Sequence, residues 1–100
     1  MTNVRYRRDR RLVEDLRVCT VHMHNGDEVG LSPRRRAILR TLNLRATPRQ
    51  RQCLYLYYGL RMNQAAIGSL LGIDISTVSR NISHGERHVR EMEAILPEEA

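Results

Sequence analysis

The sequence predicts an all-α domain of three to four helices, the last two crossing as a helix-turn-helix, behind a basic N-terminal extension. Three observations predict it. Apolar residues recur at helical spacing from residue 32 onward. Two Pro-led helix starts, Ser32-Pro33 and Thr47-Pro48, punctuate that pattern. Gly68 and Gly72 then stand four residues apart. The first lets two helices approach closely, and the second tolerates the positive φ of a tight turn between them.

Composition narrows the function classes. A chain of 100 residues has room for one small domain, not a two-domain enzyme. Apolar residues make up 41%, with no Phe or Trp, so the core falls to Leu, Ile, Val, Met, Ala and four Tyr. No apolar run approaches the ~18 residues of a membrane span. The start is charged, so no signal peptide is expected, and the expected location is the cytoplasm, at the nucleoid. Cys19 and Cys53 form no disulfide framework and suit a reducing compartment. All 17 basic residues are Arg against 11 acids, a net charge of +6. Residues 1–51 hold 13 Arg and 5 acids, whereas residues 52–100 hold 4 and 6. Guanidinium forks match phosphate and guanine geometry, so the expected partner is nucleic acid. A genomic base bias would produce the same preference for Arg.

The elements follow in order. Residues 4–18 carry Leu12, Val13 and Leu16 in a narrow apolar stripe, with Asp9, Glu14 and Asp15 near the arginines, and read as a helix. Residues 18–29 read either as a short β-hairpin or as an irregular connector. Cys19, Val21 and Met23 alternate with polar residues, and Asn25-Gly26 is a two-residue turn signal. Residues 1–31 are therefore taken as the extension and 32–96 as the helical domain, with 97–100 as an acidic tail. Ser32-Pro33 caps a helix with Ala37, Ile38 and Leu42 on its inner face. Thr47, Pro48 and Gln50 form a capping box for a helix that buries Cys53, Leu54, Tyr57 and Tyr58 and stops at Gly59. Residues 63–71 make a third helix. Asp74 caps a fourth, with Val78, Ile82, Val89 and Met92 on one side until Pro97 forbids continuation.

The segment 64–83 carries the function. Ile67, Leu71, Ile73, Val78 and Ile82 lock the two crossing helices to the helix before them. Ser76, Ser79, Arg80, Ser83 and Arg87 then cluster opposite Val78 and Ile82, with Thr77 and His84 flanking and Gln64 opening the first helix. Such a face suits a major groove, and these eight residues are the expected DNA-binding set. Arg7, Arg8, Arg10, Arg11, Arg34, Arg35, Arg36 and Arg49 are the expected phosphate contacts, although the same arginines also fit a merely solvated surface.

The stretch 47–94 resembles region 4 of the sigma-70 family. The pieces that carry the resemblance are T-P-R-Q-R at 47–51, L-Y-Y-G-L at 56–60, N-Q-A-A-I-G-S-L-L-G-I at 63–73 and S-T-V-S-R at 76–80. LuxR-type domains share the T-P-R-x-R opening, but the Tyr-Tyr-Gly-Leu spacing and the Val-Ser-Arg helix favour the sigma family. The resemblance implies a bacterial or phage transcription protein that binds promoter DNA and docks on RNA polymerase. No segment resembles region 2, the part of a sigma factor that melts the promoter. Ile75, Ser76 and Ser79 stand where primary sigma factors carry Arg and Glu, so the family's upstream promoter element is not the implied target.

Two readings of function are thus in play. One is a regulator that binds double-stranded DNA. The other is a protein-interaction module that docks on RNA polymerase or another regulator, with DNA contact secondary. A homodimer suits the first, because one helix-turn-helix reads few base pairs; residues 4–24 or the end of the last helix would form its interface. His22/His24 and His84/His88 have the spacing of metal-binding pairs, but no Cys or carboxylate completes either set, so no metal or cofactor is expected. No nucleophile-base pair, carboxylate pair or phosphate loop points to an enzyme.

Overall fold

A computed structural model provides the structure, and it describes residues 9–95. The helices are α1 (Arg10–Asn25), α2 (Pro33–Arg45), α3 (Pro48–Leu54), α4 (Gln64–Leu71) and α5 (Ile75–Glu93); α3 runs on into a π-helical turn, Tyr55–Gly59. No strand occurs among the described residues.

The hairpin reading of residues 18–29 is corrected: α1 continues through them to Asn25. Cys19 is fully buried while Val21 lies exposed, so the two residues that a strand would align occupy different faces. Leu12, Leu16, Cys19 and Thr20 instead share the helical face that meets the core. Asn25-Gly26 ends a helix and does not join strands. Gly26 adopts φ 77°, and the amides of Gly26 and Asp27 both donate to the His22 carbonyl, at 2.8 and 3.1 Å. Asp27 also meets His22 Nδ1 at 2.6 Å, and this contact, with the Val29 amide, holds its carboxyl below the usual range. The helix expected from residue 4 starts instead at Arg10, because Asp9, on extended backbone, caps it by accepting from the Arg11 amide at 3.0 Å; residues 4–8 lie outside the described residues.

The other helix starts follow their local chemistry. The Ser32 hydroxyl accepts from the Arg35 amide at 3.2 Å behind Pro33. Thr47 and Gln50 cap each other reciprocally at 3.1 Å. Asn63 accepts from the Ala66 amide at 2.8 Å and starts α4. One expected stop moves. The chain passes through Gly59 in the π turn and reverses at Arg61, a non-glycine residue at φ 60°.

α1 packs on α2 and on the π turn, while α2, α3 and α4 pack on α5. Their common core holds Leu16, Ile38, Leu42, Leu54, Ile67, Val78, Ile82 and Val89, all without solvent exposure. Each such side chain contributes roughly 1.5–3 kcal/mol by leaving water. Polar groups fasten the layers. Asp15 is buried and accepts from Arg34 Nε at 2.9 Å and Arg35 Nε at 2.8 Å, and Arg34 also bonds Glu93 at the end of α5. Glu86, buried on α5, accepts from the Tyr58 hydroxyl of the π turn.

Candidate nucleic-acid interface

The geometry of α4 and α5 begins at two glycines. A Cβ on Gly68 would lie 2.8 Å from the Ile73 carbonyl oxygen, so only glycine lets the turn fold this tightly against α4. Gly72 adopts φ 68°, and the amides of Gly72 and Ile73 both return to the Gly68 carbonyl. Asp74 then starts α5 by accepting from the Ser76 hydroxyl and from its amide at 3.3 Å; these two bonds hold its carboxyl below the usual range.

Val78, Ile82, Gly85, Glu86 and Val89 form the buried face of α5. Ser76, Arg80, Ser83 and Arg87 are exposed on the opposite side, with Thr77, Ser79 and His84 half-buried at its margins. Arg80 donates to the Thr77 hydroxyl at 3.3 Å, and Arg87 Nη2 lies 2.6 Å from His84 Nδ1. Neither guanidinium forms an ion pair with a described carboxylate, although the Arg80 charge reaches Asp74 and helps to hold its carboxyl low. Gln64 is half-buried at the first position of α4. His88, further along α5, has a buried Nδ1 with no partner among the described residues; burial, then the Arg45 charge, lowers its pKa.

The expected phosphate contacts are dispersed. Arg7 and Arg8 lie outside the described residues. Arg10 and Arg11 are exposed on the first turn of α1, and Arg49 is exposed on the first turn of α3. Arg36 is half-buried and makes no ion pair with a described residue. Arg34 and Arg35 are engaged on Asp15. Sequence reasoning missed Arg61, whose position at the chain reversal carried no local signal, since positive φ normally selects Gly or Asn.

Burial, then Asp15, pushes the Cys19 thiol up to about 12, and burial raises that of Cys53, so neither is an activated nucleophile. Among the described residues no three metal-ligating side chains converge. No helix of the described residues is long and apolar enough to cross a membrane.

Two helices crossing through a glycine turn, the second with a Ser/Arg/His outer face, define a helix-turn-helix, a fold consistent with DNA binding. The family model "Sigma-70, region 4" matches residues 47–91, so this segment is homologous to sigma-70 region 4. A comparison with curated proteins finds no match, and a comparison with solved structures finds none.

Proposed function

We propose that the protein is a transcription regulator that binds double-stranded DNA and reads base edges with the outer face of α5. The observation that carries this reading is the set Ser76, Arg80, Ser83 and Arg87, exposed together on the second helix of a sigma-70 region 4 helix-turn-helix. The small serines let the helix lie close to the groove floor. Arg80 is the long fork at the centre of the face, suited to the O6 and N7 acceptors of a guanine. Thr77, Ser79, His84 and Gln64 serve the margins of the contact.

Arg7, Arg8, Arg10, Arg11, Arg36 and Arg49 supply phosphate affinity in this reading. Arg34 and Arg35 act differently: bound to Asp15, they hold α2 against α1 and shape the domain that presents α5. Region 4 homology also favours RNA polymerase as a partner, next to promoter DNA.

Selection of bound sequences from a random duplex pool tests the reading. The expected result is an enriched motif whose affinity falls steeply with salt. A palindromic motif would assign a homodimer. Failure to enrich any motif, together with no binding to random duplex at low salt, would leave docking on the polymerase as the function.

A further inference from the structure

A second cationic feature lies away from the outer face of α5. A groove runs along α1, between that helix and the stretch 57–63 leading into α4. Arg10 and Arg17 of α1 and Arg61 of the connection line it, around apolar Val13, Tyr57 and Met62. Among the described residues, Glu14 is the one acid along its walls, and it pairs with Arg17 at 2.7 Å.

Arg61 is unusual in two respects at once. Its backbone sits at φ 60°, a region that penalises any residue bearing a Cβ, so glycine would hold this reversal with less strain. Its side chain is exposed and makes no ion pair with a described residue. The position therefore presents a free cation at a backbone cost. Arg61 also precedes Gln64, the first residue of α4, by three positions. In helix-turn-helix complexes the first of the two helices crosses the DNA backbone while the second enters the groove. Phosphates flanking the site read by α5 thus pass the start of α4, and the groove leads from there along α1.

We propose that this groove binds DNA phosphates flanking the base-read site, through Arg61, Arg17 and Arg10. α1 lies outside the segment homologous to sigma-70 region 4 and in this way lengthens the footprint of the helix-turn-helix. The inference rests on the DNA-binding reading above. The groove favours phosphate because, among the described residues, three arginines line it against one acid, and that acid is already paired.

The test uses the full chain and the selected duplex in two lengths, one ending at the base-read motif and one extended on both sides. Wild type is expected to bind the extended duplex more tightly and with a steeper salt dependence. Arg61→Gly should lose about 0.9 of the slope of log K against log salt on the extended duplex only. It should keep the base preference and melt at or above the wild-type temperature, because the backbone strain is relieved. Glu14→Gln should tighten binding to the extended duplex. Should Arg61→Gly fold poorly, Arg17→Gln carries the same forecast for the slope. An unchanged slope in the folded variants, with wild-type binding intact, would overturn the proposal while leaving DNA recognition by α5 standing. Absence of salt-dependent binding by the wild type would overturn that recognition itself. Capture of poly-glutamate by the wild type but not by Arg61→Gly, at an unchanged DNA slope, would reassign the groove to an acidic protein segment.

Discussion

The arginines of α1 and α2 and those on the outer face of α5 meet opposite fates. The first group belongs to the strongly basic half of the chain, yet most of its described members already hold a carboxylate, two of them on the buried Asp15 and the others at the surface. Arg17 pairs with Glu14, Arg34 and Arg35 with Asp15, Arg40 with Glu28 and Arg45 with Glu91. Arg80 and Arg87 belong to the half with more acids than bases, but their hydrogen-bond partners are the uncharged Thr77 and the imidazole of His84. The formal charge of a segment therefore does not rank its ability to meet phosphate. What counts is which carboxylates the fold brings within reach. The basic half binds its own acids and two from α5, whereas Arg80 and Arg87 on the outer face of α5 form no ion pair with a described residue.

Breaking the internal clamp should have the largest effect. Asp15→Ala removes the common acceptor of two guanidinium groups that are only partly hydrated, and is expected to cost about 3 kcal/mol. Urea denaturation measures it; a loss below about 0.5 kcal/mol would place these arginines among ordinary surface ion pairs. The turn comes next. Nothing lies near a Cβ added at Gly72, so Gly72→Val isolates the penalty of φ 68° and should cost about 2 kcal/mol in the same assay. A melting curve matching wild type would mean that the turn can relax.

The cations on the outer face of α5 should behave in the reverse sense. Arg80→Ala is expected to leave the melting temperature unchanged and to weaken binding to the selected duplex by about 1.5 kcal/mol, relaxing preference at one base position. Equal weakening on every single-base variant would assign Arg80 to a phosphate. The smallest effect concerns His88, which sits between the two arginine groups, near Arg45, Arg87, His84 and Glu91. Its folded pKa lies below the ordinary 6.5, so the unfolded chain takes up the proton first as pH falls. Stability should be full above pH 6.5 and decline as the pH drops from there through the lower folded value. His88→Gln should remove that decline. Unfolding curves for both proteins across this window would reveal the difference, and identical pH profiles would discount the burial of Nδ1.

Much of the fold was legible because its causes are local. The caps at Ser32, Thr47 and Asp74 and the turn at Gly72 each depend on residues within a few positions of one another, and each forms where the sequence places it. The inward and outward faces of α5 follow from its helical period alone. Residues 18–25 were ambiguous for a definite reason. Their alternation and the Asn25-Gly26 signal fit a hairpin or a connector, and nothing local marks the continuation of the helix before them. Contact with α2 and the π turn selects the helix by burying Cys19 and Thr20 together.

The sequence by itself determined the helical character of the chain from residue 32 on, the helix starts there, the helix-turn-helix and the face that α5 turns outward, since hydrogen bonding and side-chain period act over one or two turns. Only the tertiary structure decided which arginines remain available. Asp15 meets Arg34 and Arg35 across 19 and 20 positions, and Glu93 meets Arg34 across 59. It also set Arg61 at positive φ on the rim of the α1 groove, where the path from the π turn to α4 overrides the residue's own backbone preference. Coulombic pairing depends on distance in space, and only folding brings residues so far apart in the chain within a few ångströms.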